Sequence, residues 1–339
     1  MKLKSLALFA LTLTGLMPLG TPARAVDLTG AGATFPNPIY SKWFAEYKKV
    51  DSSVSFNYQP IGSGGGQKQI IEGTVDFGAS DGPMSDESLA KASAKILHIP
   101  TVAGAVAITY NLPGVSTLKL DGATLADIYL GKITKWNDAA IAKLNSGIKL
   151  PATDIAVAHR ADGSGTSFIF TDYLGAVSPE WKSKVGKPNT TVNWPAGIGG
   201  KGNDGVAGLV KQTAGAIGYV ELIYAAQNKL QTAELKNADG VFLKPSLEGI
   251  TAATATANIP DDFRFSMVNA PGKDSYPISG VTWLLVYEQQ KDAAKGKALV
   301  SFLKWALTEG EKQAKALDYA PLPDAVQKKV LDRIAAIKM

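Results

Sequence analysis

Three features of the 339-residue sequence predict an α/β fold in about two domains. Short apolar runs of strand character alternate with segments of helical periodicity, a pattern that builds largely parallel sheets flanked by helices. The length is about twice that of a single domain of roughly 100 to 200 residues. No tract of Pro, Ser or Gly is long enough to serve as a disordered linker, so extended segments are expected to join the domains, and a cleft between them suits a ligand.

In chain order, residues 1–25 come first. They open with Met1-Lys2-Leu3-Lys4, run through an apolar stretch from Leu6 to Leu19, and end in Pro22 and Ala23-Arg24-Ala25. A charged start, an apolar middle too short to span a bilayer comfortably and small residues at the minus-three and minus-one positions predict a secretory signal peptide. Its removal takes away Lys2, Lys4 and Arg24 but no acid, so the formal charge of +5 falls to 32 basic against 30 acidic residues, or +2. With no Cys to carry a lipid, the exported chain is expected to be free. A helix is expected over residues 36–50, with Ile39, Trp43, Phe44 and Tyr47 on one face. Strands are expected over 54–58, 105–110, 155–158 and 216–220. A second amphipathic helix over 299–307 places Phe302, Leu303 and Ala306 together.

Composition narrows the chemistry. The chain has no cysteine, which excludes disulfides, thiolate zinc sites, iron–sulfur clusters and cysteine nucleophiles. Two histidines, His98 and His159, leave little material for a histidine metal centre or a catalytic triad, and no metal or cofactor is expected. Lysine and glutamate are interspersed, as in Glu46-Tyr47-Lys48-Lys49 and Glu309-Gly310-Glu311-Lys312. That is a mixed solvated surface, not the basic stripe of a nucleic-acid-binding protein. The six Trp are expected in the core.

One arrangement occurs three times: a strand runs into a turn of small and hydroxyl residues, and a helix follows. The first turn is Leu28-Thr29-Gly30-Ala31-Gly32-Ala33-Thr34-Phe35-Pro36, where Pro36 suits a first helical position and Thr34 a cap. The second, Tyr58-Gln59-Pro60-Ile61-Gly62-Ser63-Gly64-Gly65-Gly66, leads into a helix expected over 67–72. The third, Ala158-His159-Arg160-Ala161-Asp162-Gly163-Ser164-Gly165-Thr166-Ser167, leads into one expected over 168–174. First-turn amides lack partners within the helix and carry the positive end of its dipole, and bare glycine backbone lets an anion approach. Any one turn is explained by an ordinary cap. Three of them, one holding Arg160, make an anion site an equal reading.

Other motifs fail on detail. Gly30-x-Gly32 lacks the third glycine of a dinucleotide fingerprint, and Gly200-Lys201 is followed by Gly202 where a nucleotide loop needs Ser or Thr. Ile61 and Asp162 stand where a serine-hydrolase elbow around Ser63 or Ser164 needs glycine. Asp162 reads as the ion-pair partner of Arg160. Asp81, in Asp76-Phe77-Gly78-Ala79-Ser80-Asp81-Gly82-Pro83, reads locally as a turn-forming residue at a strand end.

Together, Thr29 to Pro36, the Gly62-Ser63 turn, Val75-Asp76-Phe77-Gly78-Ala79-Ser80-Asp81 and Arg160-Ala161-Asp162-Gly163-Ser164-Gly165-Thr166-Ser167 resemble the periplasmic phosphate-binding proteins of phosphate-specific ABC transporters. Ile128 to Ile133, Gly199 to Gly205, Gly215 to Val220 and Leu317 to Pro323 extend the likeness over essentially the whole mature chain. The resemblance implies a two-domain α/β clamp of type II, each domain a mixed, mostly parallel sheet flanked by helices. It assigns residues 27–103 and 276–339 to domain I and 104–275 to domain II, with crossovers near 102–107 and 278–284.

The same resemblance implies a non-catalytic, monomeric carrier of inorganic phosphate, HPO4 or H2PO4, which delivers it from the periplasm to membrane permease subunits. It assigns amide donors to Thr34 and Phe35, with the Thr34 hydroxyl added, and amide and hydroxyl donors to Ser63. Ser164, Gly165 and Thr166 supply donors from the other domain, Arg160 gives its guanidinium, Asp162 holds that guanidinium, and Asp81 faces the ligand. Gly64 departs from relatives that place Ser there. The rival reading is a secreted phosphoesterase, which needs a nucleophile with a base or a metal cluster; the sequence offers no strong case of either.

Overall fold

The structure, a computed structural model, describes residues 25–339. The expected signal peptide lies, Ala25 apart, outside the described residues. The strands are β1 (Val26–Gly32), β2 (Val54–Gln59), β3 (Phe77–Ser80), β4 (Ile96–Asn111), β5 (Lys119–Leu120), β6 (Ala156–Arg160) and β7 (Ile198–Gly200). They continue with β8 (Ala216–Glu221), β9 (Gln231–Thr232), β10 (Glu234–Lys236), β11 (Phe242–Leu243), β12 (Ser279–Tyr287) and β13 (Ala320–Pro321).

The main sheet runs in the order β2-β1-β3-β12-β4-β8-β6-β7, with β13 and β9 also pairing with β4, while β11-β10-β5 form a separate small sheet. Each end of the main sheet is a parallel triplet: β2, β1 and β3 at one end, β8, β6 and β7 at the other. The two central strands, β12 and β4, run antiparallel to their neighbours and carry the chain between the two α/β halves. Residues Ile96 to Ala105 of β4 pair with β12, and Val106 to Asn111 pair with β8. One unbroken 16-residue strand therefore joins both halves. Its near-continuous apolar sequence fits burial on both faces. Pro100 cannot donate to the ladder, and the register shifts beside it, between Thr282 and Trp283.

The helix Asn37–Val50 buries Ile39, Tyr40, Trp43 and Tyr47. Phe44, only partly buried, stacks on Phe56 of β2 at 4.5 Å. The helix Ala293–Ala306 covers the same region with Leu299, Phe302, Leu303 and Ala306 buried. Trp43, Trp136, Trp181 and Trp283 are fully buried, and Trp194 and Trp305 pack against the core.

Several boundaries differ from expectation. The strand expected over 155–158 is shifted to Ala156–Arg160. The second turn's helix begins at Ser63, so its three glycines form the first helical turn, not a loop. The reason is close packing: a Cβ on Gly66 would stand 2.6 Å from the Ala31 carbonyl oxygen and 2.7 Å from that of Ala79. The third turn's helix spans Gly165–Val177, capped by Ser164. Pro36 sits one place before the first helix, at the cap position, where it has no side-chain acceptor to offer, and the Thr34 hydroxyl bonds Asn203.

Candidate anion-binding site

The three turns foreseen in the sequence meet. In the first, the carbonyls of Ala33, Thr34 and Phe35 each accept a tyrosine hydroxyl at 2.6 Å, from Tyr58, Tyr224 and Tyr319 respectively. In a planar trans peptide the N–H points opposite the carbonyl. Holding the Ala33 and Thr34 carbonyls on the tyrosine side therefore turns the amides of Thr34 and Phe35 the other way.

In the second turn Gly62 adopts φ +93°, which favours glycine, and its amide donates to the Gly32 carbonyl at 2.8 Å. Ser63 opens the helix, with its Oγ accepting from the Asp81 backbone N–H at 3.1 Å.

The third turn carries Arg160 on the last residue of β6. Its Nε donates to Asp162 Oδ1 at 2.8 Å and its Nη2 to Oδ2 at 2.5 Å, a bidentate pair almost wholly out of water. The Gly202 amide adds a further bond to Asp162 Oδ1 at 2.9 Å. Burial raises the Asp162 carboxyl, but the bonds and charge of Arg160 together with the Gly202 amide outweigh it, and the net shift is downward. The third donor nitrogen, Nη1, donates to Thr166 Oγ1 at 3.2 Å. Ser164 Oγ accepts from the Ser167 amide at 3.0 Å, while Gly165 and Thr166, at the helix start, have amides without an intrahelical acceptor.

The turns are in direct contact across the cleft. Gly64 N–H donates to the Gly163 carbonyl at 2.9 Å, so this amide is used between the turns and not toward a ligand. A Cβ on Gly64 would lie 3.2 Å from Gly163 Cα, which gives a bare position there a packing reason. A Cβ on Gly165 would stand 2.3 Å from Ser63 Oγ and 2.5 Å from Asp81 Oδ2. The two halves are therefore closed on one another.

Asp81 does not make the local turn its sequence suggests: the Gly82 amide goes to Ser80 Oγ, and the Asp81 carboxyl points inward. It accepts from Thr282 Oγ1 at 2.8 Å and from Ser63 Oγ at 3.4 Å. Burial pushes this carboxyl up to about 7, against the pull of the Thr282 bond, the Arg160 charge and the Ser63 bond. Thr34, Phe35, Ser63, Asp81, Arg160, Ser164, Gly165 and Thr166 are all buried.

Sequence reasoning missed Asn203 and the four tyrosines that brace the site, Tyr58, Tyr224, Tyr319 and Tyr219; the hydroxyl oxygen of the last accepts from the Arg160 amide at 3.0 Å. Asn203 Nδ2 reaches Thr34 Oγ1 at 2.9 Å and Thr166 Oγ1 at 3.3 Å, touching both sides of the cleft. Its signal was available: β7 running into Gly202–Gln212 is a further strand, glycine turn and helix. His159 stacks on Trp194 at 5.1 Å, and its Nδ1 lies 3.1 Å from the Arg160 carbonyl oxygen.

Two α/β halves, joined by crossing strands and closed on opposed helix starts, define a binding clamp, and residues 20–309 match the family model of the PBP superfamily domain. The chain is 46% identical over 317 residues to the phosphate-binding protein PstS of Xylella fastidiosa, covering 92% of this chain and 86% of that one. It is 47% identical over 311 residues to the PstS of Pasteurella multocida, covering 91% and 89%. Among solved structures, a high affinity periplasmic phosphate-binding protein with bound phosphate superposes with a TM-score of 0.74 at 23% identity, over 90% of this chain and 93% of that one. A phosphate-binding protein from Stenotrophomonas maltophilia gives 0.68 at 23% identity, over 91% and 94%. The chain belongs to the PBP superfamily, in the family of phosphate-binding proteins named PstS.

Proposed function

We propose that this protein binds one inorganic phosphate between its halves in the periplasm and delivers it, as a non-catalytic monomer, to the permease of an ABC importer. The observation that carries the reading is the convergence of three helix starts and the Arg160 guanidinium on a buried site that also holds one carboxylate, Asp81. In this reading the amides of Thr34, Phe35, Ser63, Gly165 and Thr166, the hydroxyls of Thr34, Ser63, Ser164 and Thr166, and Arg160 all donate to phosphate oxygens. Asp162 keeps the guanidinium in place. Residues 27–103 and 276–339 form one domain and 104–275 the other, hinged at β4 and β12.

Asp81 supplies selectivity. Above about pH 7 the Asp81 carboxyl is ionised and only accepts, so it can bind an anion that still carries a proton. Phosphate near neutral pH retains one or two protons; sulfate has none, and against it two acceptors would face each other, desolvated and unpaired, at a cost of several kcal/mol. A phosphoesterase reading gains no support from His159, which stacks on Trp194 beside the Arg160 carbonyl, or from any cluster of three metal-ligating side chains among the described residues. Calorimetric titration of the mature chain with phosphate is expected to give one tight site, and a chromogenic phosphate ester, with or without divalent metal, is expected to remain uncleaved. Turnover of the ester, or no heat with phosphate, contradicts the reading.

A further inference from the structure

We infer that Asn203 sets the polarity of the site by occupying the lone pairs of the two threonine hydroxyls, so that both can only donate. A hydroxyl offers one hydrogen and two lone pairs, and nothing in its own chemistry decides which will face a ligand. Thr34 Oγ1 accepts from Asn203 Nδ2 at 2.9 Å and from the Asn203 backbone N–H at 3.4 Å. Thr166 Oγ1 accepts from the same Nδ2 at 3.3 Å and from Arg160 Nη1 at 3.2 Å. With both lone pairs of each oxygen facing N–H donors, only the O–H hydrogens remain for a ligand.

The amide can serve this purpose in one orientation only. Asn203 Oδ1 accepts from the Glu221 backbone N–H at 3.0 Å, an acceptor's place that Nδ2 could not fill, and this fixes the nitrogen toward the threonines. The residue is fully buried at the start of the helix Gly202–Gln212, and it contacts Thr34 from one side of the cleft and Thr166 from the other. Ser63 and Ser164 are biased the same way but less completely, one lone pair of each oxygen accepting from the amides of Asp81 and Ser167. The site thus presents two threonine hydroxyls set to donate and two serine hydroxyls biased to donate, the Ser63 O–H turned toward the acceptor Asp81 at 3.4 Å. That polarity matches an oxyanion with few protons and rejects a neutral polyol, which must donate several. Asn203 is a positioning residue: it acts through the threonines and need not touch the ligand.

This inference rests on the phosphate reading, and a double-mutant cycle separates the two. Inorganic phosphate is titrated by calorimetry into the parent, Asn203→Ala, Thr34→Val/Thr166→Val and the triple variant. Asn203→Ala is expected to weaken binding about tenfold to a hundredfold in the parent, yet less than about threefold where no threonine hydroxyl is left to orient. An equal loss in both backgrounds marks a merely structural role and overturns the inference, as does no loss in the parent.

Asn203→Asp keeps the acceptor for Glu221 N–H and replaces the donor with a second acceptor, so it tests the same point should the alanine variant fold poorly. Its loss is expected to exceed that of Asn203→Ala and to shrink in the double-valine background; parent-like binding by Asn203→Asp overturns the inference. A parent that binds no phosphate overturns the phosphate reading itself, before any substitution is made.

Discussion

In the proposed reading Asp81 carries selectivity, because its carboxyl is buried between Thr282 and Ser63, which both donate to it. Asp81→Asn keeps an oxygen for Thr282 but gives the site a neutral group that can donate to a fully ionised anion. The expected result is a sulfate affinity that rises about tenfold or more relative to phosphate, read by calorimetry with both anions; an unchanged ratio contradicts the role assigned to Asp81.

A second residue sets an acid limit on stability. His98 is buried with its Nε2 accepting from the Met84 amide at 3.0 Å, and burial first, then the Arg264 cation, against the opposing pull of Asp262, brings it down from 6.5 to about 4. The unfolded chain takes up a proton below about 6.5 that the native protein refuses until about 4, so stability falls as pH drops through that window. His98→Gln, which retains an acceptor, is expected to flatten the melting temperature between pH 6.5 and 4, and an unaltered slope would mean that other groups dominate. At this scale Arg160 and Asp162 were legible because they are two residues apart. Asn203, Tyr224 and Tyr319 were not, because they reach the first turn from 169, 190 and 284 residues away, and no local pattern reports such a contact.

Among the elements, the strand–turn–helix units were visible through alternating strands, glycines and hydroxyl caps. Their boundaries were misread where glycine served packing instead of turning. The run Gly64 to Gly66 looks like a loop by composition, yet it is the first turn of a helix pressed against the backbone of β1 and β3. Gly165 has a related function across the cleft. A methyl group there fits the start of a helix but would collide with Ser63 and Asp81 in the closed arrangement. Gly165→Ala is therefore expected to lower phosphate affinity about tenfold or more while leaving the melting temperature of the phosphate-free protein within a few degrees of the parent. Equal damage to binding and to melting would place the fault in the fold and not in closure.

For the whole molecule, the α/β class and the division into two halves followed from length and periodicity. The continuity of the sheet did not, because nothing in the apolar run of β4 reveals that its first ten residues pair with β12 and its last six with β8. That single strand, with β12 beside it, is the spine the two halves share, and the proposed hinge lies there. If the donors come from both halves as proposed, phosphate favours the closed arrangement, and small-angle scattering is expected to show compaction when phosphate is added to the phosphate-free protein.

In the proposed reading one protonated oxyanion is held between the halves by donors from both and is told from sulfate by a single carboxylate. The decisive measurement is a titration of the mature chain with phosphate in a large excess of sulfate. One site per chain is expected, with an affinity unchanged by sulfate once ionic strength is matched. Competition by sulfate, or the absence of a phosphate site, would contradict it.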